Sequence, residues 1–273
     1  MRDSGLLEGE KKVKLVRPII IAFSMYSRFP MPRMDWTKKS MAWALCCFPA
    51  VGIAVGFCLF LWLLIAKSLE FGTILTAAIA LLLPILLSGG IHLDGLCDTA
   101  DALGSHQPRE RKLEILKDSH CGAFGVITCV LYLVVFFAAW CEVQPLSYSR
   151  MVAVCLVPVL SRSLSGLMAV TQPNARGSGL LATFTEPMDL NKARVVMSLW
   201  IALVCVLLGF LGLGYLIAVL LVSVLTVIYY VTMSRRMFGG VTGDLAGFFL
   251  QICEVACVLA VAVVPKIVEV LQL

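Results

Sequence analysis

The sequence predicts an all-α, polytopic integral membrane helical bundle: about seven transmembrane helices, an N-terminal interfacial helix and a short amphipathic cytoplasmic helix. Three observations carry this prediction. First, 60% of the 273 residues are hydrophobic and only 14% are charged, with a mean hydropathy of +0.95. Soluble domains sit near about 45–50% apolar and about 25% charged, so a soluble enzyme, a disordered chain and a basic nucleic-acid binder are excluded. Second, several uncharged stretches reach the roughly 20 residues needed to cross hydrocarbon. Third, Lys and Arg collect on alternate connecting segments, as in polytopic membrane proteins.

Each element follows from the residues in turn. The first 17 residues are polar and charged, with no short apolar core and cleavage site, which is not the pattern of a removable signal peptide. Residues 15–34 are apolar but interrupted by Arg17, Arg28 and prolines, which fits a helix lying at the interface and then a Pro-rich turn. Crossings are expected over 41–66, 71–91, 121–141 and 151–171, the last holding Arg162. Residues 195–234 are too long for one crossing and divide near Gly209, Gly212 and Gly214. The seventh crossing, 245–269, contains Glu254. Residues 108–118 form the short amphipathic helix, with Pro108 in its first turn and Leu113 and Leu116 turned to the bilayer. The whole chain, 1–273, reads as one membrane-embedded catalytic domain: 1–40 form a cytoplasmic and interfacial segment, and 41–273 the bundle.

Placing the N-terminus in the cytoplasm puts segments 1–40, 92–120, 172–194 and 235–244 inside. They hold nine, four, three and two Lys or Arg, eighteen in all, whereas the other face keeps Lys67, Arg150 and Lys266. This bias predicts an N-in, C-out protein of the bacterial cytoplasmic membrane with its chemistry on the cytoplasmic side. The eleven cysteines lie mostly in apolar runs without a CxxC spacing, and read as small packing residues.

The chemistry-bearing stretch is Gly89-Gly90-Ile91-His92-Leu93-Asp94-Gly95-Leu96-Cys97-Asp98-Thr99-Ala100-Asp101. At roughly 100° per residue the three aspartates project from one helical face, within about 60° of one another. Like charges at that spacing repel, and ionisable groups near a membrane are functional by default. A hard divalent cation, Mg2+, resolves the conflict. A second patch runs from Gly239-Gly240-Val241-Thr242-Gly243 to Asp244, with Glu254 inside the next crossing. Its glycines let backbone N–H groups approach phosphate, and Glu254 serves either that site or an ion pair with Arg162. At the third crossing, Asp118 and Ser119 are either helix caps or anion contacts. His92 and His120 are candidate acid–base groups, and Arg28, Arg162 and Arg176 candidate phosphate clamps. Carboxylates for Mg2+, Gly-rich turns and arginines at one face of a bundle point to transfer of a phosphate-linked group. A membrane cation transporter using Arg162 and Glu254 is the alternative, although neither an inverted repeat nor a path of acids to the far side is visible.

These residues are similar to those of the cobalamin synthase family. The run from Gly89 to Leu103, followed by Leu113-Glu114-Ile115-Leu116-Lys117-Asp118-Ser119 and Gly122-Ala123-Phe124-Gly125, resembles that family's GG-x-HLDG-x-x-D-x-x-D and LEIMKDS-x-x-G-x-x-G elements. Phe23 to Pro30, Ser161-Arg162 and Gly239 to Gly247 match further elements in the same order over about 230 residues. His120 stands where Arg is usual, Ala102 where Gly is usual and Gln251 where Glu is common; Arg176 to Leu180 match only loosely. The resemblance implies that a hydroxyl of α-ribazole, or of its 5′-phosphate, attacks adenosylcobinamide-GDP with Mg2+ and releases GMP. It implies Asp94, Asp98, Asp101, Asp244 and Glu254 around the metal and pyrophosphate. Arg28, Asp118, Ser119, Arg162, Gly240, Thr242 and Gly243 would contact substrate, and Asp101, His92 or Asp98 would take the hydroxyl proton. The expected partners are those two substrates and the lipid bilayer, with a homo-oligomer left open and no nucleic acid.

Overall fold

The computed structural model describes residues 16–177 and 179–271; the charged residues 1–15, Ser178 and the last two residues lie outside them. Among the described residues there are helices and no strands. In chain order they are α1 (Val16–Tyr26), α2 (Lys38–Ala44), a 3-10 turn (Leu45–Cys47), α3 (Phe48–Ser68), α4 (Thr73–Ser88), α5 (Ile91–Gly104) and α6 (Arg109–Ile115), followed by α7 (Ala123–Glu142), α8 (Tyr148–Thr171), α9 (Leu180–Thr185), α10 (Leu190–Leu211), α11 (Leu213–Phe238) and α12 (Gly243–Leu271).

Six helices are long and apolar enough to cross a membrane, and a seventh crossing follows if the bent pair α4–α5 counts as one. The chain is therefore a polytopic helical membrane protein. The long run 195–234 breaks at Gly212, as its glycines predict. The expected crossing 71–91 is shortened: α4 stops at Ser88, and α5 leaves it at 91°. Gly89 and Gly90 make this bend with φ of 67° and 79°. The Gly90 N–H donates to Ile85 O and the Gly89 N–H to Leu86 O, a Schellman closure that a side chain at φ > 0 would strain. The short helix at 108–118 forms as α6, but Leu116 is buried against the core, which corrects its expected bilayer-facing position.

α8 is the central helix, with 78% of its apolar window buried, and α12 follows at 67%. α3 lies against α8 through Gly52 and Gly56. A Cβ at Gly52 would stand 2.5 Å from Pro158 O, and one at Gly56 would overlap Cys155 O. Small residues four apart let membrane helices approach this closely. The lipid-facing sides are apolar: Val130, Leu131 and Val134 on α7, Leu203 and Phe210 on α10, and Leu221 and Leu225 on α11 are all exposed.

The α8–α12 contact also holds a charge pair. Arg162 Nη1 donates to Glu254 Oε1 at 2.8 Å and to Pro158 O at 3.1 Å, and Ser161 Oγ donates to the same carboxylate oxygen at 2.9 Å. Both charged side chains are almost wholly buried. Arg162 and Glu254 thus pair with each other, the second of the two outcomes that the sequence leaves open for Glu254. Removing one partner leaves an uncompensated charge in apolar surroundings, at a cost of about 3–5 kcal/mol. Thermal unfolding in detergent should show Glu254→Ala and Arg162→Ala each strongly destabilised, and Arg162→Met/Glu254→Met closer to wild type than either.

Candidate functional site

The site is built where α5 crosses α12. A Cβ at Gly95 would stand 2.5 Å from Asp244 O, and one at Gly247 3.1 Å from His92 O. These two glycines therefore set the helix separation, and any larger residue forces the helices apart. The close approach carries Asp94 and Asp98 of α5 to the first turn of α12, which bears Asp244.

Arg176 comes to the same place by a loop pairing. The Ala175 N–H donates to Val241 O at 2.9 Å and the Val241 N–H to Pro173 O at 2.8 Å. Asn174 Oδ1 accepts from the N–H groups of Arg176 and Gly177, which fixes the turn. Gly240 lets the two loop segments close, since a side chain there would overlap Pro173 O. Arg176 Nη2 then lies 3.0 Å from Asp244 Oδ2, close enough for an ion pair. Thr242, buried, accepts the Leu245 N–H on Oγ1 and so caps α12. Gly243 remains exposed at the helix start.

A cavity opens beside these groups, walled by Tyr26, Phe48, His92, Asp94, Ser165, Gly243, Asp244 and Gly247. His92 is buried on this wall, 5.8 Å from the Phe48 ring, and its Nε2 has no hydrogen-bond partner. α5 turns away from α4 at 91°, and its Asp98 carboxyl is pushed up to about 7, first by burial and then by Asp94, Asp244 and Asp101, with Arg176 opposing. The cluster is therefore net acidic and holds a carboxylate that changes charge near neutrality. Among the described residues, no three His, Cys, Asp or Glu side chains already converge as a metal cage. The donor set is nonetheless all oxygen, and Asp244 Oδ2 is buried with Arg176 Nη2 as its close polar neighbour. A hydrated Mg2+, which keeps several waters between itself and carboxylates, fits such a set.

Other expected site residues go elsewhere. Asp101 does not face the cluster with free oxygens: Oδ2 accepts from the Gly122 N–H at 2.7 Å and Oδ1 from the Gly125 N–H at 2.8 Å. It caps α7 from a neighbouring helix, in place of the cap by Asp118 or Ser119 that the sequence suggests. Asp118 is exposed; hydrogen bonds from the His120 ring, at 2.7 Å, and from its backbone hold Asp118 below the usual carboxylate range. Glu254 lies ten residues, or about 15 Å of helix rise, beyond Asp244. Gln251 is likewise buried within α12, where it accepts from the Tyr132 hydroxyl, so the Gln-for-Glu departure does not touch the aspartates. Arg28 is exposed with its stem over Gly89. The sequence reading passed over Arg109, whose guanidinium packs on Gly239, and no spacing distinguishes it from the other basic residues of 108–118.

Replacing the Asp101 cap should loosen the start of α7. For Asp101→Ala, hydrogen exchange at the Gly122 and Gly125 amides should accelerate, with a stability loss of about 0.5–2 kcal/mol; unchanged protection would contradict the cap.

The profile of the family described as cobalamin-5-phosphate synthase matches residues 18–262. A protein of Lachnoclostridium phytofermentans named adenosylcobinamide-GDP ribazoletransferase is 40% identical over 258 residues, covering 94% of this chain and 97% of its own. Proteins of that name from Pseudomonas fluorescens and Clostridium botulinum are 38% and 33% identical, covering 90% and 88% of this chain and 98% and 95% of theirs. No solved structure matches.

Proposed function

The chain belongs to the cobalamin-5-phosphate synthase family and is a transferase, and from that premise we propose that it transfers the cobinamide phosphate of adenosylcobinamide-GDP to α-ribazole or its 5′-phosphate. The acceptor hydroxyl oxygen bonds to the cobinamide-side phosphorus, the anhydride P–O bond breaks, and GMP leaves with the bonding electrons. The observation that carries this reading is the meeting of Asp94, Asp98, Asp244 and Arg176 at the start of α12.

Each group has a task that its geometry suits. The exposed N-terminal turn at Gly243 offers backbone N–H groups and the positive end of a long helix to the pyrophosphate. Arg176, tethered by the 173–175 and 241 pairing, sits where its planar fork can bridge phosphate oxygens. Asp94, Asp98 and Asp244 would hold Mg2+, which supplies neutralisation of charge on the transferring phosphoryl group. His92 Nε2, buried and unpartnered on the cavity wall, is placed to accept a hydrogen bond from the attacking hydroxyl. The positive-inside bias supports a site at the cytoplasmic face of the bacterial cytoplasmic membrane. The transporter alternative loses its support, because Arg162 and Glu254 close on each other.

Two measurements test the reading. Purified protein in detergent should release GMP from adenosylcobinamide-GDP plus α-ribazole only with a divalent cation, and Asp98→Asn should lower that rate at least about 100-fold, the scale of a lost electrostatic contact to the transition state. Release from Asp98→Asn at the wild-type rate would overturn the metal role. Because the ionised Asp98 is the ligand and its proton leaves near pH 7, Mn2+ affinity read by electron paramagnetic resonance should rise as pH increases through about 7 and then level off. A flat affinity across that range would remove Asp98 from the ion site.

A further inference from the structure

α6 turns a charged stripe inward. Arg109, Lys112 and Leu116 fall within about 60° of one another around the helix. Leu116 is buried in the core, and Lys112 is only 4% exposed. α6 lies against α5 and α11. At its outer end the exposed Arg109 guanidinium rests on Gly239, which closes α11 with φ of 77°, and any Cβ there would overlap Arg109 Cζ. The stripe therefore stands over the turn from Gly239 to Gly243 that leads to Asp244 and the start of α12.

Neither cation of the stripe has a counter-charge. Among the described residues, Arg109 and Lys112 form no ion pair. Glu114 of the same helix pairs with Arg111 at 2.6 Å, on exposed side chains. The neighbouring cations are already engaged: Arg176 lies against Asp244, and Arg235 Nε donates to Gln172 Oε1 at 2.8 Å. A lysine stem can lie among apolar groups, but an enclosed ammonium without an anion costs free energy. A helix that buries one a single turn from a free guanidinium is built to receive an anion with several acceptor oxygens.

The course of α5 indicates which anion. His92 stands in its first turn and α6 follows its last, with Asp94 and Asp98 between them. Phosphoryl transfer places the attacking and leaving oxygens roughly in line on opposite sides of phosphorus. With the acceptor hydroxyl at His92, the leaving phosphate departs toward α6, and it gains negative charge as the anhydride P–O bond breaks. We infer that Arg109 and Lys112 hold the phosphate of the leaving nucleotide, which makes α6 one wall of the donor's nucleotide subsite. The inference rests on the transferase reading above and assigns residues to its leaving group.

The test uses the full-length protein in detergent with MgCl2, and reads both thermal unfolding and initial rates. GMP should raise the unfolding temperature of the wild type, and guanosine, which lacks the phosphate, should not. Lys112→Met keeps the length of the side chain and removes the unpaired charge. It should unfold no earlier than the wild type without nucleotide, yet lose most of the shift that GMP produces. Arg109→Ala should raise both the inhibition constant of GMP and KM for adenosylcobinamide-GDP by about tenfold, the loss of one charge-assisted contact. KM for α-ribazole and for its 5′-phosphate should stay as in the wild type, and Arg109→Lys should recover part of the loss. Wild-type inhibition by GMP in a monodisperse Arg109→Ala, an effect on acceptor KM in its place, or an equal shift with guanosine would overturn the assignment while the transferase reading stood. Absence of GMP release from the wild type with either acceptor would overturn both.

Discussion

The structure turns on the contact between α5 and α12. Two unit charges about 4 Å apart repel by about 4 kcal/mol near a protein surface, and the crossing brings together three aspartates that would otherwise separate. What holds them is backbone packing, since Gly95 and Gly247 remove the side chains that would keep the helices apart. Arg176 offsets part of the repulsion but cannot neutralise three carboxylates. The protein therefore spends packing energy to keep an acidic cluster beside the positive end of α12, the reverse of what stability alone would select. A site that binds a cation and a diphosphate together has a use for both signs at once.

The buried pair of Arg162 and Glu254 sits one level deeper and serves that contact from below. Glu254 lies on the same helix as Asp244, and Arg162 on α8, the most enclosed helix of the bundle. Arg162 also stacks 5.7 Å from the Phe48 ring, which in turn faces His92 and Tyr26. The axial register of α12 against α8 is thereby fixed by directional bonds, whereas apolar packing alone would permit sliding. That register decides which residue of α12 meets Gly95.

Much of this was legible in the sequence, and the failures share one cause. Charge-free runs and the Lys and Arg bias located the crossings, and the glycines near 212 located the break between α10 and α11. The stripe of Asp94, Asp98 and Asp101 was also visible, because helical periodicity gives the direction of a side chain. Periodicity says nothing of what stands opposite. Asp101 points the same way as its neighbours, yet it meets the bare N–H groups of α7 and becomes a cap. Arg162 and Glu254 were read with two outcomes open, since a charge inside a span can serve a ligand or a partner equally well. The 91° turn at Gly89-Gly90 was hidden for a different reason: a Gly pair next to an apolar run reads as the end of a span, and only the backbone angles show where the chain goes next.

That turn has a further consequence for the chemistry. With 16 residues, α4 rises about 24 Å, short of the roughly 30 Å of a hydrocarbon core. A full crossing by α4 would have carried α5 out into water, where three aspartates repel weakly and bind a cation weakly. Stopping early and turning sideways packs α5 on α12, and burial is the largest cause of the raised Asp98 carboxyl. Dehydration strengthens both the repulsion among the aspartates and their attraction for a cation. The same turn leaves Asp94 bordering both the α12-side cavity and an apolar groove on the other flank of α5, so one carboxylate faces two hollows of different chemistry.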